Sequence, residues 1–136
     1  MVERENSLEG RTIYIPRMGE GSSRAFAAAF RAIGVKAEAS PEGDERTKEL
    51  AARYTSGDEC YPERVTLGNF LKVMERDDFD PSKIAFFMPT ATGPCRFGQY
   101  APFLRRALKK MGQEEVLVLS PSSATRMGKL DAREVL

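Results

Sequence analysis

The sequence predicts a single α/β domain with a mostly parallel sheet and helices on both faces. Three observations carry that expectation. Short apolar or β-branched runs alternate with longer stretches of helical periodicity in the order β-α-β-α-α-β-α-β. Residues that stop or start elements (Pro16, Gly34, Ser40-Pro41, Pro62, Gly112, Ser120-Pro121) fall at the junctions. Ile84-Ala85-Phe86-Phe87-Met88 is almost continuously apolar, as a strand covered on both faces must be. A chain of 136 residues has room for one domain and buries enough surface for a core without disulfide staples.

Thr12-Ile13-Tyr14-Ile15-Pro16 is β-branched and aromatic and ends at a proline, which marks the first strand. A turn-rich loop from Arg17 to Gly21 follows, with Ser22 or Ser23 placed to cap the next helix. On that helix Phe26, Phe30 and Ile33 recur at i, i+4 and i+7, the spacing of a buried stripe, and Gly34 is its expected stop. Val35 to Ala39 is a weaker strand. Asp44 to Tyr54 is helix-prone and is broken by Thr55-Ser56-Gly57-Asp58. Cys60-Tyr61-Pro62 opens another helix, because proline suits the first helical position; Leu67, Phe70, Leu71 and Met74 form its apolar face. After the strand in Lys83 to Thr90 and the loop Ala91 to Cys95, the best-patterned helix carries Tyr100, Phe103, Leu104, Ala107, Leu108 and Met111. Val116 to Leu119 is the last strand. These elements describe a flavodoxin- or Rossmann-like three-layer sandwich over residues 11–121, preceded by a flexible segment, 1–10. Residues 122–136 read as a polar tail or the start of a further element.

Composition narrows the chemistry. Lysine and arginine total 21 and aspartate and glutamate 20, so a net charge of +1 offers no electrostatic reason to bind nucleic acid or an anionic membrane. No signal peptide or membrane-spanning run is present, and the chain reads as cytoplasmic. Two cysteines are too few for a secreted disulfide framework. Histidine is absent, which removes Ser-His-Asp and Cys-His catalysis and the commonest zinc ligand.

The thiols then concentrate the remaining chemistry. In parallel sheets ligands gather where strand ends lead into helix N-termini. Cys95 sits at such a junction, and Cys60 directly precedes a helix. A helix N-terminus favours the thiolate. Gly93 and Pro94 shape a turn that presents Cys95 outward. Inert packing of both thiols stays open as an explanation, as does a thiol enzyme with Cys95 as nucleophile. As metal ligands, two thiolates fall short: zinc wants four donors, which Asp58 and Glu59 complete only awkwardly, and iron–sulfur clusters commonly take four cysteines.

The segments Thr55-Ser56-Gly57-Asp58-Glu59-Cys60-Tyr61-Pro62 and Pro89-Thr90-Ala91-Thr92-Gly93-Pro94-Cys95-Arg96-Phe97-Gly98-Gln99-Tyr100 resemble two signature segments of the acyl-CoA dehydratase activase-related family. That family belongs with the 2-hydroxyacyl-CoA dehydratase and benzoyl-CoA reductase iron–sulfur systems. Ile15-Pro16-Arg17-Met18 and the stretch from Ala27 to Val35 are also similar to its pattern. The resemblance implies a domain of a longer ATP-driven polypeptide or assembly that delivers electrons to a cysteine-bound cluster acting on a coenzyme A thioester. It makes Cys60 and Cys95 cluster ligands, completed by another domain or by a dehydratase or activase subunit. Gly93, Pro94, Arg96, Gln99 and Tyr100 would shape the site, with Arg96 offsetting cluster charge. A third cysteine and a nucleotide-binding motif are both missing from this chain. The alternative is a flavodoxin-like interaction or small-ligand module with structural or redox-sensing thiols.

Weaker signals complete the reading. Gly19-Glu20-Gly21-Ser22-Ser23 sits where a backbone phosphate cradle forms, with Arg17 and Arg24 nearby, but Arg24 breaks the dinucleotide fingerprint. Arg105, Arg106, Lys109 and Lys110 complement a helix dipole. Asp77, Asp78 and Asp80 form an acidic turn without the glycine and glutamate of a calcium loop.

Overall fold

The computed structural model describes residues 8–122. The elements follow the expected order: β1 (Thr12–Ile15), α1 (Glu20–Ala32), β2 (Ala37–Ala39), α2 (Glu45–Ala52), α3 (Tyr61–Met74), β3 (Ile84–Phe87), α4 (Tyr100–Lys110) and β4 (Leu117–Leu119). Single 3-10 turns at Pro81–Lys83 and Arg96–Gln99 precede β3 and α4. The strands pair in the order β2-β1-β3-β4, all parallel. Ile13 stands opposite both Ala37 and Ala85, and Phe86 opposite Val118.

Alternation along the strands divides the core in two, since successive side chains leave opposite faces of a sheet. Ile13, Ile15 and Ala85 point to one face, where Ala27 and Phe30 of α1 cover them. Tyr14, Phe86 and Met88 point to the other, against Leu50 of α2, Leu67, Phe70 and Leu71 of α3, and Leu104 and Leu108 of α4. Phe70 stacks on Phe86 with ring centroids 4.3 Å apart. The result is the three-layer α/β sandwich expected from the element order.

Several local features depart from the expectation. The stripe Phe26, Phe30, Ile33 is not the buried face of α1: Phe26 is 54% and Ile33 60% exposed. The buried positions are Ser23 and Ala27, with Phe30 half-buried. Small side chains let the helix sit close to the sheet, and large ones on the flank are pushed outward. Neither Ser22 nor Ser23 caps this helix. It begins one turn earlier, with Gly19 at the N-cap, and the hydroxyls donate to the carbonyls of Gly19 and Glu20. Leu8 is buried in the α1-side core and its carbonyl accepts from the Arg11 backbone N–H, so packed structure starts before residue 11. At the other end Ser122 bridges to Thr90 in parallel fashion, one residue past the expected boundary. The remainder of both terminal segments, 1–7 and 123–136, lies outside the described residues. In the acidic turn Asp80 caps the following 3-10 turn, accepting from the Ser82 N–H and hydroxyl.

Two devices hold the layers in register. The buried Arg11 guanidinium donates to the carbonyls of Pro81, Ile84 and Glu115, tying the entry of β1 to the entries of β3 and β4. Helices α2 and α3 meet at Gly68, where a Cβ would lie 2.1 Å from the Thr47 carbonyl oxygen. Beside that contact the Thr47 hydroxyl donates to Asn69 Oδ1 at 2.9 Å. Asp44 caps α2 through the Thr47 N–H in a capping box, and Lys72 of α3 donates to the same carboxylate.

Candidate functional site

Both cysteines stand at N-caps. Cys60 precedes α3, and its carbonyl accepts from the N–H groups of Glu63 and Arg64. Pro62 near the start of α3 has no N–H to lose there. Cys95 precedes the 3-10 turn before α4. The chain reaches it from β3 through Gly93, whose φ of +133° is a backbone state that side chains disfavour. Cys95 is exposed and Cys60 half-buried, and both thiols are free.

Neither sulfur makes a cap bond to its own helix. The Cys60 Sγ instead lies 2.8 Å from the Tyr100 hydroxyl, a contact in which either atom can donate. Tyr100 opens α4 and is 7% exposed, and Phe97 meets its ring edge-on at 5.3 Å. Burial, the bond to Cys60, and the charges of Cys60, Glu63 and Cys95 push the phenol well above its usual range. Arg96 reaches across from the Cys95 loop and its Nη1 donates to the Asp58 carbonyl at 2.6 Å. The fold thus joins the two cysteine loops, far apart in sequence, through Tyr100 and Arg96. Gly93, Pro94 and Gln99 line the same exposed loop without a side-chain cap from Gln99.

Two glutamates act here: Glu59, weighed in the sequence only as an awkward zinc donor, and Glu63, which the sequence did not single out. Glu59 orders the loop ahead of Cys60: its carboxylate accepts from the N–H groups of Ser56 and Gly57 at 3.0 Å each, and these bonds lower its pKa. Its carboxylate is occupied within the loop. Glu63, at the third position of α3, is 5% exposed. With Thr66 and Tyr100 it forms the polar part of a narrow cleft whose other walls are Leu67, Phe70, Met88, Phe103 and Leu104. The cleft is narrow, with room for about one water. Burial and Glu59 raise the Glu63 pKa, against the opposing pull of Arg96 and Arg106. Nothing near Glu63 in sequence marks it, because Tyr100, Phe103 and Leu104, which wall the cleft around it, come from α4.

The weak anion-site residues are engaged elsewhere. Arg17 donates to the Ser40 carbonyl and pairs with Glu20 and Glu42; Arg24 faces Glu20 at 3.9 Å. Ser22 and Ser23 donate back into their own helix. The contacts of Arg17 lie at the ends of β1 and β2, and those of Arg24, Ser22 and Ser23 at the start of α1.

The donors present do not by themselves fit a cubane cluster, which commonly takes four thiolates. Among the described residues no three His, Cys, Asp or Glu side chains are grouped to hold a metal ion. What the described residues offer is a pair of free thiols in adjoining loops, one hydrogen-bonded to Tyr100 and one exposed. The same residues contain no helix long and apolar enough to cross a membrane.

Fold and site together define a class: a parallel α/β domain with two free thiols in loops joined at the start of α4. No protein-family model, curated protein or solved structure matches the chain.

Proposed function

We propose that this domain is an iron–sulfur-cluster-binding module of an ATP-driven electron-transfer or acyl-CoA dehydratase-type system. Cys60 and Cys95 supply two ligands, and another domain or subunit completes the set. The observation that carries the reading is the Arg96–Asp58 bond, which holds the segment after Cys95 against the segment before Cys60. Two thiol loops joined in this way suit a common ligand better than two independent structural roles. The resemblance of both loops to the activase-related family supplies the identity of the group. When bound, a cluster would supply one-electron chemistry at a coenzyme A thioester. This chain's part is to present the sulfurs from helix N-termini, keep Cys60 half out of water, and place the Arg96 cation near the negative charge that thiolate ligation brings.

The test is iron and acid-labile sulfide content after oxygen-free purification with the chain or subunit that partners the domain. Wild type should be brown and carry both, and Cys60→Ser and Cys95→Ser should each lose them. Iron-free wild type would overturn the proposal. It would favour the second reading, a small-ligand or interaction module with redox-sensing thiols, for which the exposure of Cys95 is the supporting observation. That reading requires Cys95 to react with a thiol reagent in the native state and chelators to leave stability unchanged.

A further inference from the structure

The two faces of the sheet are covered unequally. Among the described residues α2, α3 and α4 pack on one face and α1 alone on the other, where it lies over β1 and β2. That second face of β3 and β4 carries Phe87, Leu117 and Leu119, all half-buried. Parallel strands are ordinarily covered on both sides. The open side borders the flank of α1 whose spacing marks it as core. Phe26 and Phe30 lean on Phe87 with ring centroids 6.2 and 5.7 Å apart, and Ile33, next in the stripe, is 60% exposed. Together these side chains form an apolar shelf beside α1.

We propose that residues 123–136, the segment that follows β4, dock on this shelf and complete the third layer of the sandwich. The inference is independent of the cluster reading. The chain leaves β4 beside the shelf: Thr90 donates its N–H to the Pro121 carbonyl and bridges Ser122, so the ladder runs on to residue 122. The segment carries Met127, Leu130, Val135 and Leu136, apolar groups that suit the aromatic and aliphatic side chains of the shelf. Its length is sufficient, since even at a helical rise of about 1.5 Å per residue it would outreach a strand of four residues. A second copy or a separate partner would compete with a segment tethered next to the shelf, at an effective concentration on the order of millimolar. Docking there also accounts for the spacing on α1: Phe26, Phe30 and Ile33 are a core stripe whose cover comes from later in the chain.

The test uses the whole chain with isotope-labelled methyl groups and rings. Nuclear Overhauser contacts are expected from Met127 or Leu130 to Phe87, Leu117 or Leu119. In a mixture of labelled and unlabelled copies they should stay within one chain. Absence of these contacts would overturn the proposal. Contacts that arise only between copies would overturn it too, and would make a second copy the occupant. Fluorescence gives a second readout, because the chain contains no tryptophan. Phe26→Trp puts a reporter on the shelf, and adding Leu130→Asp should shift its emission to the red and lower the melting temperature. Emission unmoved by Leu130→Asp would place the segment elsewhere and overturn the proposal as well.

Discussion

The Arg96 guanidinium donates to the Asp58 carbonyl at 2.6 Å, so the residue after one cysteine is bonded to the residue two before the other. The bond is exposed, and its net contribution to stability is small, about 1 kcal/mol. With the Cys60–Tyr100 contact it ties the two cysteine segments together.

Arg96→Leu should therefore separate stability from site integrity. Urea unfolding is expected to change by about 1 kcal/mol or less, while iron retention by the assembled system falls as far as in a cysteine variant. Equal retention in the variant and in wild type would show that the bond does not organise the site.

Arg11→Met tests the staple at the strand entries. The substitution leaves the carbonyls of Pro81, Ile84 and Glu115 without their buried donor. A loss of about 2–4 kcal/mol is expected from the usual cost of unpaired buried polar groups, read as a lower urea midpoint with the slope unchanged.

Gly68→Ala tests the closest helix contact. The added methyl would meet the Thr47 backbone carbonyl oxygen at 2.1 Å, an atom that cannot swing aside as a side chain can, so α2 and α3 must part. Overpacking of this kind costs about 1–3 kcal/mol or more. Gly21→Ala, where a Cβ meets nothing within 4 Å, is the control and should leave the urea midpoint near that of wild type.

Acid sensitivity should centre on Asp44. Its bonds from Lys72 and from the Thr47 N–H lower its pKa from 3.8 to about 2. A depressed acid stabilises the fold above its unfolded pKa, and that contribution disappears as pH falls from about 4 through about 2. In thermal melts across this window, Asp44→Asn should show a flatter decline than wild type.

Glu63 should behave in the opposite sense. Its pKa is raised, chiefly by burial, so above the ordinary glutamate range the unfolded chain ionises more readily and folding is disfavoured. Glu63→Gln is expected to melt higher than wild type at neutral pH, with the gain disappearing as pH falls below the usual glutamate pKa. A variant that melts lower at neutral pH would mean the carboxylate stabilises the fold.

Much of the architecture was legible because it depends on local pattern. The apolar run at β3, Pro62 at the start of α3, Gly34 and Gly112 after their helices, and the alternation of strands with helices each state a local preference that the fold satisfies. The same locality placed Cys60 at the start of α3, whereas Cys95, expected directly before a helix, caps a 3-10 turn and α4 begins only at Tyr100. Periodicity was misleading on α1. Phe26 and Ile33 share the spacing of a core stripe, yet the sheet accepts the narrower face of Ser23 and Ala27. Spacing reports which residues share a face, not which face is turned inward.

By itself, then, the sequence determined the parallel α/β class, the order of its elements and the helix start at Cys60, all of which follow from preferences between near neighbours. Tertiary structure decided the rest of the site: that the Cys60 sulfur meets Tyr100, that Arg96 reaches Asp58, and that Glu63 lies buried beside them. Those contacts depend on side-chain directions after distant segments have packed, when a hydroxyl, a sulfur and a guanidinium take whichever partner the surrounding core leaves within reach.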